Sequence, residues 1–196
     1  MMIDATKHAD KILMQLYVQS LSYDELINKA INKELMALTR PAIMPISNKY
    51  LRSSVSRFGM RMHPIDRYYK MHTGLDFPAA TGTEIYAAGD GTVVKTEYNK
   101  GGYGRMVVID HGFGYQTRYA HMNTIAVLEG GEVKRGQVIG TVGNTGHSVS
   151  SHLHYEVLKN GYHVNPMNYF YNGLSPEEYA QLVEQAQMNE DIFETW

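Results

Sequence analysis

Residues 106–121 read MVVIDHGFGYQTRYAH, and this stretch decides the fold class. A run of four apolar residues is followed by a turn that contains two glycines. From Tyr115 to His121 the side chains alternate, so that every second one points to the same face of an extended strand. The stretch therefore predicts two antiparallel strands joined by a tight turn.

The same pattern continues on both sides of this hairpin. Short apolar segments alternate with glycine-containing turns, and no stretch of helical length and periodicity lies between them. This excludes βαβ units and favours a mainly β protein whose antiparallel core is sheet-like or β-barrel-like. The further predicted strands are 85–88, 92–95, 138–142 and 152–158.

Helices are predicted on both flanks of the core. Residues 1–45 carry apolar side chains at helical spacing, and we expect two short helices there, the second starting at a capping box over 22–25. Ser175 and Pro176 begin a C-terminal helix. We thus expect a helical arm over 1–45, an antiparallel β core over 46–172, and a helix with an acidic tail over 173–196.

The arm has two possible roles. It could brace the core or cover a functional cleft, and we favour bracing because amphipathic stripes usually pack against protein.

Composition excludes several classes of function. The 18 basic and 20 acidic residues give a net charge of −2, which argues against nucleic-acid binding. The chain has no cysteine, and this excludes disulfides, thiolate metal sites and cysteine nucleophiles. No apolar stretch is long enough for a transmembrane segment, and the first residues lack the features of a secretory signal.

The histidines suggest a metal site. On a strand, His72 can share a face with Asp76, and His152 with His154. Imidazole nitrogens and carboxylate oxygens are good zinc ligands, and three protein ligands leave an open position for catalysis. Either pair alone is more often incidental. Together with His121 on a tyrosine-rich strand they favour a metal site.

The motifs resemble those of the lysostaphin/LytM-type zinc metallopeptidases, which cut the peptide part of bacterial peptidoglycan. The resemblance runs through about 60% of the chain in the order of the family, and its early motif is similar to that of Gram-negative cell-envelope members. The matching stretches are 56–64, 72–77, 82–93, 119–121, 136–140, 143–146, 152–156 and 165–166.

The resemblance implies the roles of the site residues. His72, Asp76 and His154 would bind Zn²⁺, while His121 and His152 would be the catalytic pair, with their individual roles left open. Arg61 and Tyr119 are weaker candidates for substrate binding. Arg61 could bind a substrate carboxylate or form a structural ion pair, and Tyr119 could instead serve packing.

The implied function is a zinc-dependent endopeptidase of peptidoglycan stem peptides or cross-links, in which histidine activates a zinc-associated water. A cut near D-alanine and a diamino acid is the first expectation. The expected location is the cell envelope, periplasmic or at the cell surface, with no export signal or anchor in this chain. The alternative is a LytM-like non-catalytic module that binds and activates other cell-wall hydrolases.

Overall fold

A computed structural model of the chain describes residues 2–62, 68–170 and 177–178, with side chains from Ile12 onward. The chain forms two compact units, Met1–Ala37 and Leu38–Trp196. Apart from residues 177–178, the predicted C-terminal helix and acidic tail lie outside the described residues. No helix among the described residues has the length and hydropathy that a membrane span requires.

One continuous helix, α1, runs from Met2 to Thr39. The prediction of two short helices is therefore wrong. No glycine or proline interrupts residues 2–39, and the first helix breaker is Pro41. The expected capping box does not form, because Glu25 lies inside the helix and pairs with Lys29 one turn later, at 2.6 Å.

The described residues of the second unit form eleven strands in two antiparallel sheets. The smaller sheet pairs β1 with β2, and the larger has the order β11-β10-β7-β6-β5-β8, with β3 beside β10, β9 beside β7 and β4 beside β9. The mainly antiparallel fold is confirmed, but the described strands do not close into a barrel. The strands are β1 Gly59–Met62, β2 Tyr69–His72, β3 Leu75–Pro78, β4 Glu84–Tyr86, β5 Gly91–Asn99, β6 Gly104–Gly112, β7 Tyr115–Ile125, β8 Glu132–Val133, β9 Val138–Val142, β10 His152–Lys159 and β11 Tyr162–Val164. Two short 3₁₀ turns, Asn48–Tyr50 and Pro166–Asn168, flank them.

The hairpin predicted from residues 106–121 is β6–β7. Its register places Ile109 opposite Thr117. The turn contains Phe113 and Gly114 with φ values of 50° and 76°, the left-handed backbone that matches the twist of a tight hairpin.

The core lies on the inner face of the larger sheet, where each fully buried aliphatic or aromatic side chain contributes about 1.5–3 kcal/mol. Tyr119 is fully buried there. Its hydroxyl accepts a hydrogen bond from the Ala88 amide at 2.9 Å and lies 3.1 Å from Thr117 Oγ1. The structure thus places Tyr119 in the core and not in a cleft. Other fully buried core residues include Phe77, Ile85, Ile109, Leu153 and Tyr155.

Candidate metal centre and catalytic cleft

Strands of both sheets bring His72, Asp76 and His154 together. His72 ends β2, and the antiparallel pairing of β3 with β10 sets Asp76 directly opposite His154. Asp76 Oδ1 lies 3.1 Å from His72 Nε2 and 2.8 Å from His154 Nδ1, and the two nitrogens are 3.2 Å apart. These three residues form a group that could hold a metal ion.

On each candidate ligand histidine, the ring nitrogen that points away from Asp76 (the outer nitrogen) lies beside a hydrogen-bond acceptor. That acceptor fixes the position of the ring proton. His72 Nδ1 is 2.8 Å from the carbonyl oxygen of Arg57, and His154 Nε2 is 3.0 Å from Glu156 Oε1. Both partners accept hydrogen bonds, so these nitrogens carry the protons. In the neutral rings the lone pairs therefore sit on His72 Nε2 and His154 Nδ1, and both point toward Asp76.

This donor set fits zinc. At zinc–ligand distances of 2.0–2.1 Å, tetrahedral geometry separates neighbouring ligand atoms by about 3.3 Å. The three separations here are close to that value. Two lone pairs and a carboxylate oxygen that converge in this way repel one another unless a cation lies between them, and zinc would meet that need.

The pKa shifts of His154 and Asp76 also indicate that the site stabilises positive charge. Burial alone would lower the pKa of His154, but hydrogen bonds with Asp76 and Glu156 raise it to about 9. Burial alone would raise the pKa of Asp76, yet the hydrogen bonds with His154 and His72 hold it well below its usual range. The carboxylate is therefore ionised, and the site attracts either a proton or a metal ion.

Arg61 contacts the second oxygen of the Asp76 carboxylate. Its guanidinium donates to Asp76 Oδ2 at 2.5 Å and to Ser56 Oγ at 2.8 Å. The ion pair leaves Oδ1 facing the two histidines. The structure thus shows Arg61 in an ion pair with Asp76, a candidate metal ligand. The ion pair is one of the two alternatives predicted for this residue.

Two more histidines border the same site. The rings of His121 and His152 have their centroids 4.8 Å apart, and His152 Nε2 lies 3.7 Å from Asp76 Oδ1. His121 Nδ1 is 2.7 Å from the carbonyl of Thr145, and His152 Nδ1 is 2.8 Å from that of Ser150. Both rings therefore hold their proton on Nδ1 and carry the lone pair on Nε2.

His121 combines backbone strain with a suppressed charge. Its φ of 59° is unusual for a non-glycine residue, and such strain is concentrated at functional sites. Burial is the main cause that lowers the pKa of His121 to about 4; the neighbouring His152 and His154 act in the same direction, while the hydrogen bond with the Thr145 carbonyl opposes the shift. His121 is therefore a neutral hydrogen-bond acceptor near pH 7.

These side chains line an open cleft of about 590 Å³. Its walls combine the five site residues with Arg61, Tyr103 and the loop over 147–150. Sequence reasoning did not single out Glu156, although strand alternation puts it on the same face as His152 and His154.

Comparison with known proteins gives consistent results. Peptidase family M23 matches residues 70–166. The chain is 48% identical over 119 residues to the DD-carboxypeptidase/endopeptidase Mpg of Neisseria meningitidis, covering 61% of this chain and 27% of that protein. It is 48% identical over 106 residues to the peptidoglycan DD-endopeptidase ShyC of Vibrio cholerae, covering 54% of this chain and 24% of that protein. The chain thus spans about a quarter of these curated relatives.

The fold also matches a solved peptidase domain. The catalytic domain of the prophage-encoded M23 protein EnpA from Enterococcus faecalis, solved as a point mutant, aligns with a TM-score of 0.57 and 36% identity. The alignment covers 66% of this chain and 97% of that domain.

Proposed function

The chain belongs to peptidase family M23, and from that premise we propose that it is a zinc-dependent endopeptidase of bacterial peptidoglycan. His72, Asp76 and His154 hold the metal in this proposal, and His121 and His152 are the catalytic pair. The observation that carries the proposal is the convergence of His72 Nε2, Asp76 Oδ1 and His154 Nδ1 beside two further histidines in one open cleft.

When bound, zinc supplies Lewis-acid chemistry by acidifying water and polarising a peptide carbonyl. Asp76 and the two ligand histidines hold their donor atoms toward the cleft, so this chemistry is available to a bound peptide. In the neutral rings, hydrogen bonds to the Arg57 carbonyl and to Glu156 hold the proton of each histidine on the outer nitrogen, which leaves the lone pair on the ligand atom.

His121 and His152 serve proton transfer in the reaction. Hydrolysis forms a carbon–oxygen bond, breaks the carbon–nitrogen bond and moves one proton from water to the leaving amine. A neutral Nε2 at the cleft can accept that proton, and the resulting imidazolium can donate it to the amine. The second histidine orients the water or stabilises developing charge on the carbonyl oxygen.

The relatives support the class of substrate. The Vibrio relative is named a peptidoglycan DD-endopeptidase and the Neisseria relative a DD-carboxypeptidase/endopeptidase. We therefore assign this chain a peptide bond in the cell-wall cross-link or stem peptide, and an extracytoplasmic place of action in the cell envelope.

Metal analysis combined with digestion tests this proposal. We expect one zinc per chain in the wild type, together with release of cleaved peptides from purified peptidoglycan. His154→Ala should lose both. His147→Ala, which changes a cleft histidine outside the ligand set, should keep its zinc.

Two results would contradict the proposal. A wild-type chain that binds no zinc after reconstitution would exclude the metal site. Stoichiometric zinc without cleavage of any peptidoglycan type would favour the non-catalytic binding module instead.

A further inference from the structure

The geometry points to Glu156 as a positioning residue of the metal centre: paired with Arg118, its carboxylate holds His154 in the tautomer that presents Nδ1 to the metal. This inference rests on the zinc site of the proposed function. It assigns a role to a buried charge that lies outside the ligand set and the catalytic pair.

The first step is the contact between the two side chains. Glu156 lies two residues after His154 on β10 and is fully buried. Its Oε1 is 3.0 Å from His154 Nε2. An ionised carboxylate only accepts hydrogen bonds, so the imidazole must carry its proton on Nε2. The lone pair is then on Nδ1, the atom that faces Asp76.

The second step is the set of donors that keeps Glu156 ionised. Arg118 donates from Nη1 to Oε2 at 2.6 Å, while Thr73 Oγ1 and the Tyr103 hydroxyl donate to Oε1 at 2.5 and 3.0 Å. Both carboxylate oxygens of Glu156 thus accept hydrogen bonds, and one of the donors is the positively charged guanidinium of Arg118.

The third step is the rigidity of this arrangement. Arg118 Nη1 also donates to the Tyr103 hydroxyl at 2.9 Å, and its guanidinium carbon lies 4.6 Å above the Tyr103 ring. The Tyr103 and His154 rings are 5.9 Å apart between centroids. Arg118, Tyr103 and Glu156 thus form one packed group behind His154, and they fix the orientation of its ring as well as its proton.

Removal of the charge should weaken metal binding. A glutamine at position 156 can present an amide N–H to His154 and favour the opposite tautomer, in which Nδ1 is protonated. It also leaves Arg118 without its anionic partner. Loss of such an outer hydrogen bond to a metal-binding histidine typically lowers metal affinity 10- to 100-fold.

The test is zinc affinity, measured by competition with a chelator on the full chain. We expect Glu156→Gln to weaken zinc binding about 10- to 100-fold, and Tyr103→Phe, which removes one donor but keeps the ring, to weaken it less. The matched control is Glu132→Gln on β8, an exposed carboxylate, which should bind zinc like the wild type.

A spectroscopic measurement separates positioning from general destabilisation. The visible absorption of the cobalt-substituted protein reports the ligands of the metal, and it should change in Glu156→Gln but not in Glu132→Gln. If Glu156→Gln does not fold, the same two measurements on Tyr103→Phe decide the question, with unchanged affinity and spectrum overturning the inference.

The outcomes also separate this inference from the proposed function. Wild-type affinity and an unchanged cobalt spectrum in Glu156→Gln would overturn the positioning role while the zinc site stands. A wild-type chain that binds no zinc would overturn both.

Discussion

In the proposed function four histidines carry the chemistry of this site, and each has one nitrogen fixed by a hydrogen-bond acceptor. In three of them, His72, His121 and His152, the acceptor is a backbone carbonyl. Only His154 uses a carboxylate, that of Glu156. Sequence motifs supplied the residue identities, but the tautomers depend on carbonyl groups whose positions no motif records.

Arg61 provides the first prediction at the residue scale. Since it donates to Asp76 Oδ2 and Ser56 Oγ, we expect Arg61→Lys to keep the charge but lose the two-pronged contact. Zinc affinity and kcat should both fall, by about tenfold. Chelator competition and steady-state kinetics measure this.

The competing interpretation of Arg61 has a different outcome. If Arg61 bound a substrate carboxylate, Arg61→Lys would raise KM and leave zinc affinity at the wild-type value. That result would show that the ion pair with Asp76 does not support the metal site.

His111 provides a prediction about pH. The ring is buried, with Nδ1 2.7 Å from the Asp90 carbonyl and Nε2 2.7 Å from Thr117 Oγ1, contacts that satisfy its neutral form. Burial lowers its pKa in the folded chain. In the unfolded chain histidine binds a proton near pH 6.5, so protons favour the unfolded state and stability falls as the pH drops through that value.

Urea unfolding of metal-free protein at pH 7.5 and 5.5 tests this. Wild type should lose more unfolding free energy between the two pH values than His111→Gln, whose side chain does not titrate. Equal losses in the two proteins would mean that His111 does not contribute to the acid sensitivity.

At the scale of elements, α1 is the main difference between sequence and structure. The motif over 22–25 has the composition of a helix start, yet the helix continues through it. Serine at an N-cap and serine inside a helix differ only in backbone conformation, and the local sequence contains no residue that forces the chain to break there. The strands were predictable because two signals indicate the same structure: the alternation of side chains along each strand and the glycine-containing turns between the strands.

Substitution at Ser22 distinguishes the two interpretations of α1 by the sign of the effect. Inside a helix, alanine is more stable than glycine by about 1 kcal/mol, whereas at an N-cap glycine is the better of the two. We therefore expect Ser22→Ala to retain more helix than Ser22→Gly in thermal melts followed by circular dichroism. The reverse order would indicate two helices.

The two ends of β6 offer a matched pair of glycines. Gly104 and Gly112 have φ values of 67° and 74°, so alanine strains the backbone at either position. A Cβ at Gly104 would also collide with the backbone of Thr145, whose carbonyl holds His121, while a Cβ at Gly112 has open space.

Gly104→Ala should therefore destabilise the fold more than Gly112→Ala, which should cost about 1 kcal/mol. It should also lower kcat, because the displaced Thr145 carbonyl would no longer orient His121. Unfolding in urea and peptidoglycan digestion measure the two effects. Equal stability and activity in the two variants would contradict this role of the Thr145 contact.

At the scale of the whole molecule, the sequence predicted the antiparallel core and the residues that the structure gathers in the cleft. Their joint placement follows from pairing between strands far apart in sequence, β3 with β10 and β10 with β7. The sequence motifs indicated this joint placement only through their resemblance to a known family. The Glu156 group was not predictable, because Thr73, Tyr103 and Arg118 meet it from three different segments.

The most direct test of the central claim is cleavage of purified cross-linked peptidoglycan before and after zinc removal. We expect the chain treated with a chelator to release no peptides and to recover its activity when one equivalent of zinc is restored. Cleavage that continues at the same rate in the metal-free chain would contradict the assignment of a zinc-dependent peptidoglycan endopeptidase.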